Sequence, residues 1–124
     1  MIYLVRKSVN KDVLSVIIKY HNSKVEQYCN NEKAMFKHLK NINVVRKLQI
    51  LMTDLEMFPH IVDFARVPKL AKYKLHDLTN DKKGIKSLRI DYTYRMELVV
   101  EFYDEQMEDE DVITIVEVSK HYEK

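Results

Sequence analysis

Glycine, cysteine and proline are nearly missing from this 124-residue chain, which holds one, one and two of them. The lone Gly84 excludes the glycine-rich loops that cradle nucleotide phosphates, since those need several residues free to let a phosphate approach the backbone. A single cysteine, Cys29, excludes an internal disulfide and a cysteine metal cluster, and it reads as a buried thiol. The histidines at 21, 38 and 60 are scattered, with no H-x-x-x-H pair, which speaks against zinc. Long apolar runs are absent too. Val16-Ile17-Ile18 and Ile50-Leu51-Met52 are far short of the roughly 20 residues that span a bilayer. Met1 to Val5 is too short for a secretory signal, so the expected location is cytoplasmic, with no membrane partner.

What remains is ordinary in amount and uneven in placement. The hydrophobic share of 46% suffices for one compact core, so residues 1–124 read as a single domain. Net charge is only +2, yet Arg66 to Arg95 holds nine Lys/Arg against three Asp. Asp104 to Asp111 is the opposite pole, with six carboxylates and no base. At a Debye length of about 8 Å these act as separate patches unless the fold joins them. The basic stretch suits phosphate. The acidic run lacks the glycine and ligand spacing of a calcium loop and reads as solvated.

Patterning predicts a strand over Val13–Tyr20, with Ile2–Arg6 able to pair with it. Ser23-x-x-Glu26 predicts a helix start by a capping box, and Asn30-Asn31 a second. From there Met35, Leu39, Ile42, Val45, Leu48, Met52 and Leu55 recur at three and four residues, predicting one amphipathic helix ending near Phe58-Pro59. Ile61–Ala65 suggests a short helical turn, and Pro68 a break before the sheet. Strands are expected over Lys72–Leu78, Ile85–Asp91, Tyr94–Phe102 and Val112–Val118. In the third, Tyr94, Met96, Leu98, Val100 and Phe102 alternate with Arg95, Glu97 and Glu101, as when one face is packed and the other wet. The fold class is α+β: helices on one face of a small, mostly antiparallel sheet.

The residues that could carry chemistry cluster around the basic hairpin. Arg95, on the water side of its strand, could offer a planar fork to a phosphate. Ser87 and Arg89 share the side opposite Leu88 and Ile90. Lys82 and Lys83 stand at the hairpin tip, His76 on the strand before it. Lys74, Lys82, Lys83, Lys86 and Arg89 are the candidate RNA-binding cations, and a solvated sheet face is the competing reading. His121 suits proton transfer near neutral pH. The competing reading of His121 and Tyr122 is a terminal pair that caps the sheet edge or frays.

Tyr73-x-Leu75-His76-x-Leu78-x-x-Asp81-Lys82-Lys83-Gly84-x-x-Ser87-Leu88-Arg89-Ile90, then Tyr94-Arg95, then Ile113-x-Ile115-Val116-Glu117-Val118-x-x-His121-Tyr122, resembles the RelE/HigB-like toxins of bacterial type II toxin–antitoxin systems. Lys24-x-x-x-Tyr28-Cys29-x-x-Glu32-Lys33 is similar to the first helix of the HigB-like, plasmid maintenance killer branch. The resemblance covers about residues 13–122. It implies the RelE-like fold, a twisted sheet with N-terminal helices on one face. It also implies ribosome-dependent cleavage of mRNA without metal or other cofactor. His76 would be the base toward the ribose 2′-OH, Arg95 the holder of the scissile phosphate, His121 the acid and Tyr122 the aromatic that orients the nucleotide. The implied partners are a cognate, helix-turn-helix, HigA-like antitoxin and mRNA on the ribosome, with operator DNA reached only through the antitoxin.

The chain departs from the family pattern at two places. Many relatives carry a lysine three residues after the base, where Thr79 stands here. The ending His121-Tyr122 has the YoeB-like order rather than the Asp-Tyr-His of HigB-like chains, so acid and stacking roles could be exchanged. A non-catalytic module of the same fold, keeping antitoxin or RNA contacts, is the alternative reading.

Overall fold

The computed structural model describes residues 15–78 and 84–120 of the chain. The expected pairing of Ile2–Arg6, the hairpin tip with Thr79, Lys82 and Lys83, and His121 and Tyr122 lie outside the described residues.

Strand β1, Ile17–Tyr20, leads into helix α1, Ser23–Asn30. Asn22, one residue before the expected Ser23, caps the helix: its Oδ1 accepts from the Val25 N–H at 3.0 Å. Helix α2, Glu32–Leu39, starts as expected, with Asn31 accepting from the Ala34 N–H. It does not run on into one long helix. Lys40 turns left-handed, φ 57° and ψ 27°, and Asn41 caps a new helix, α3, Ile42–Leu55, by accepting from the Asn43 and Val44 N–H groups. The hydrophobic period survives this break because both helices face the same core. Only the local cap chemistry marks the corner.

Helix α3 buries Val44, Val45, Leu48, Leu51, Met52 and Leu55. Truncating a fully buried leucine such as Leu48 to alanine should cost about 2 to 5 kcal/mol. A short helix α4, Asp63–Arg66, and a 3-10 helix, Pro68–Tyr73, follow. Pro68 opens the latter, in keeping with its fixed φ and missing donor. Phe64 packs between Phe58 and Tyr73, with ring centroids 6.1 and 5.8 Å away.

The remaining strands are β2, His76–Asp77, β3, Lys86–Arg89, β4, Tyr94–Phe102, and β5, Val112–Lys120. The expected strand over Lys72–Leu78 shrinks to two residues because the 3-10 helix takes Lys72 and Tyr73 and Lys74 turns left-handed after it. Among the described residues the sheet has the order β1-β5-β4-β3-β2. It is antiparallel except for β1, which lies parallel to β5. Gly84, just before β3, has φ of 84°, a conformation that favours glycine.

Two register shifts disturb the β4–β5 pair. Glu97 faces Glu117 while Leu98 faces Ile115, and Val100 faces Ile113 while Phe102 faces Val112. The first leaves Val116 as an extra residue, so Val118, Ile115 and Ile113 all reach the core despite their mixed parity. The second ends the expected alternation of β4, and Phe102 is exposed rather than packed.

Candidate active site

The sheet register assigns side chains to faces. Leu88, Met96 and Val118 form one transverse row on the core side. On the opposite face His76, Ser87, Glu97 and Glu117 form one row, and Arg89, Arg95 and Ser119 the next. His76 and Arg95 therefore share a face, two strand spacings and two residues apart, or roughly 12 Å between Cα atoms for ideal strands.

His76 is exposed, and its Nδ1 lies 2.7 Å from the Lys74 carbonyl oxygen. A carbonyl can only accept, so Nδ1 carries the proton and Nε2 presents its lone pair. The tautomer a general base requires is thus selected by the backbone. That carbonyl is aimed by Lys74 itself, which is left-handed with φ 47° and ψ 53° at the end of the 3-10 helix. Such a conformation is uncommon for a residue with a side chain.

Arg95 departs from its expected open presentation. It is half-buried, and its Nε and Nη2 donate to one oxygen of Glu97, at 3.1 and 2.9 Å. Glu97, expected to meet water, is 1% exposed, and Ser87 beside it is buried as well. The pairing fixes the plane of the guanidinium and offsets part of its charge. Glu97 is the site residue that sequence reasoning missed. Its signal was the i, i+2 spacing from Arg95 on a strand, which puts both side chains on one face.

The candidate RNA-binding cations are dispersed. Lys74 is exposed next to His76. Lys86 faces Leu98 and Asp77 in the register, so it belongs to the core-side row, and its Nζ lies 2.7 Å from the Asp77 carboxylate. That contact holds the Asp77 carboxyl below its ordinary value. Arg89 shares the Arg95 face at its root, with its guanidinium 5.6 Å from the Tyr92 ring centre. It also borders a cavity of about 360 Å³ with Lys47, Ile50, Lys72, Tyr73 and Ile90. Among the described residues no three His, Cys, Asp or Glu side chains are grouped to hold a metal ion. No helix among them is long and apolar enough to cross a membrane.

No family model matches the sequence, and no curated protein matches it. Solved structures do. The YoeB/ParE toxin from Agrobacterium tumefaciens superposes with a TM-score of 0.51 at 19% identity, covering 85% of this chain and 98% of that one. YafQ from E. coli gives 0.49 at 18% identity over 86% and 94%. The YoeB-YefM complex from Staphylococcus aureus gives 0.48 at 20% identity over 86% and 98%. None of these three is a HigB protein. The likeness to the YoeB/ParE toxin establishes the fold: an α+β, RelE-like fold, with helices on a mostly antiparallel sheet.

Proposed function

We propose that residues 1–124 form one toxin domain, a metal-independent endoribonuclease that cuts mRNA on the ribosome and is restrained in the cytoplasm by a cognate antitoxin. The observation that carries this reading is the shared sheet face of His76 and Arg95, with His76 held as the Nδ1–H tautomer.

In this reading His76 Nε2 removes the proton from the ribose 2′-OH, and the freed oxygen attacks the adjacent phosphorus. Arg95 stabilises the negative charge that grows on the equatorial phosphate oxygens. The bond to the 5′ oxygen breaks as His121 donates a proton to it, while Tyr122 orients the nucleotide. The products are a 2′,3′-cyclic phosphate and a 5′-OH. Proton transfer and a fixed cation suffice for this route. Lys74 and Arg89, with Lys82 and Lys83, would add phosphate contacts along the strand, whereas Lys86, on the core-side row and held by Asp77, would contribute least. The antitoxin, read as HigA-like, would cover this face or keep it from the ribosome.

End-group analysis of mRNA cut by the purified protein on ribosomes tests the reading. Cyclic phosphate or 3′-phosphate with 5′-OH ends are expected, and 5′-phosphate with 3′-OH ends would overturn it. The Arg95–Glu97 pair favours a second reading, a binding module that has lost cleavage, because a carboxylate already occupies part of the guanidinium. Growth arrest without mRNA cuts would support that one.

A further inference from the structure

The outer edge of β5 offers a second cationic site that the cleavage reading does not use. Strand β1 ends at Tyr20, opposite Ile115, and beyond it side chains satisfy the β5 backbone. The Val118 N–H donates to Tyr28 Oη at 2.8 Å, and the Val118 carbonyl accepts from His38 Nε2 at 2.7 Å. The two rings stack, 3.9 Å between centroids and 3° from parallel. Beside them opens a cavity of about 460 Å³ lined by Lys24, Gln27, Tyr28, Lys37, His38 and Lys40. A neighbouring cavity of about 310 Å³ shares Lys24, Tyr28 and His38 and adds His21 and Glu117.

Among the described residues Lys24, Lys37 and Lys40 have no carboxylate within ion-pair distance. Lys40 also stands at the left-handed end of α2, a position where glycine is the usual residue. Three unneutralised ammonium groups around a ring stack form neither an apolar groove nor a metal site. They resemble the arrangement by which single-stranded nucleic acid is held, backbone on cations and base on an aromatic face. A volume of about 460 Å³ lies in the range of small-ligand pockets. Val118 adjoins Ser119, which pairs with Arg95, so the β5 backbone that Tyr28 and His38 hold lies one strand spacing, about 5 Å, from the backbone of Arg95. A strand of RNA would pass from the cleft round the β5 edge to the Arg95 face.

We propose that this cleft holds one nucleotide of a single-stranded RNA, its phosphate on Lys24, Lys37 and Lys40 and its base against the His38 ring. Choosing RNA as the anion rests on the endoribonuclease reading above. The cleft would grip the strand that crosses the His76–Arg95 face and set its register there.

Fluorescence anisotropy of a short labelled oligouridylate, measured over a salt series, tests this, with circular dichroism as the check on folding. The double variant Lys37→Glu/Lys40→Glu should lower the slope of log affinity against log salt by about 1.4, at about 0.7 per lost phosphate contact on a single strand. Lys40→Gly should lose affinity while melting no lower than the parent, which separates the charge from the fold. His38→Ala should bind about 5- to 140-fold more weakly if a base stacks there. His76→Ala should bind as the parent does and fail only in cleavage. Parent-like binding by both lysine variants, or no RNA binding by the parent, would overturn the proposal. So would equal affinity for inorganic phosphate, uridine monophosphate and the oligonucleotide, which would make the occupant a free anion. Normal cleft binding with no cleavage by any form would instead sink the nuclease reading alone.

Discussion

Arg95 donates through both Nε and Nη2 to the same carboxylate oxygen of Glu97, a residue two positions along the same strand and almost fully buried. Removing the cation would take its ion-pair partner from a buried carboxylate. Arg95→Ala should therefore cost about 3 to 5 kcal/mol of stability, and loss of activity in that variant alone would be ambiguous. Arg95→Ala/Glu97→Gln should recover part of the stability and none of the cleavage. Urea denaturation alongside ribosome cleavage checks both halves. Arg95→Lys should fail in cleavage nearly as badly as Arg95→Ala, since an ammonium cannot reproduce the planar fork.

A second buried carboxylate ties the acidic loop to the core. Asp111, fully buried, accepts from the Ile61 N–H at 2.9 Å and the Asp104 N–H at 3.3 Å, and its Oδ1 lies 3.4 Å from His60 Nδ1. Asp111→Ala leaves these partners unsatisfied, each at a cost of about 1 to 3 kcal/mol. The variant should unfold at markedly lower urea, whereas changing the exposed Glu105, Glu108 or Asp109 to alanine should leave the midpoint within about 0.5 kcal/mol of the parent.

Alkaline pH should unfold the protein through its buried tyrosines. Burial raises the Tyr28 hydroxyl, and burial followed by the Asp54 carboxylate raises Tyr73. A group whose folded pKa lies above the unfolded value, about 10 for tyrosine, holds its proton more tightly in the native state. Its contribution is present below about pH 10 and is lost as pH rises past that point. Urea midpoints from pH 9 to 11 should fall for the parent and fall less steeply for Tyr73→Phe. Equal slopes would show that Tyr73 is not responsible.

Much of the frame was legible in the sequence. The strand Tyr94–Phe102 has the bounds that its alternation suggested, and Asn31 caps α2 where a helix start was expected. The break at Lys40–Asn41 was hidden because Leu39 and Val45 keep the same hydrophobic phase on either side of it. The short β2 was hidden because residues 68–73 turn into a 3-10 helix, whose three-residue period a strand pattern does not reveal. Period-two alternation placed Arg95 and Glu97 together on one face but assigned that face to water. Burial there is tertiary, and no local pattern reports it. The tautomer of His76 depends on the carbonyl of Lys74, and so on a left-handed backbone that nothing in lysine itself signals.

That dependence yields the most specific prediction for the site. His76→Ala should lower cleavage about 10²- to 10⁴-fold with the fold intact, because the imidazole is exposed and contributes little packing. Lys74 contributes in two separable ways, through its ammonium and through the carbonyl that accepts from His76 Nδ1. Lys74→Gly removes the charge and keeps the left-handed backbone, so RNA affinity should fall while the rate of cleavage once bound stays near that of the parent. Lys74→Val removes the same charge with a β-branched residue that resists positive φ. The carbonyl then turns, the Nδ1–H loses its acceptor, and the cleavage rate should drop as well. Single-turnover cleavage on saturating ribosomes separates the two effects. Equal rates for Lys74→Gly and Lys74→Val would show that the backbone at residue 74 does not set the histidine.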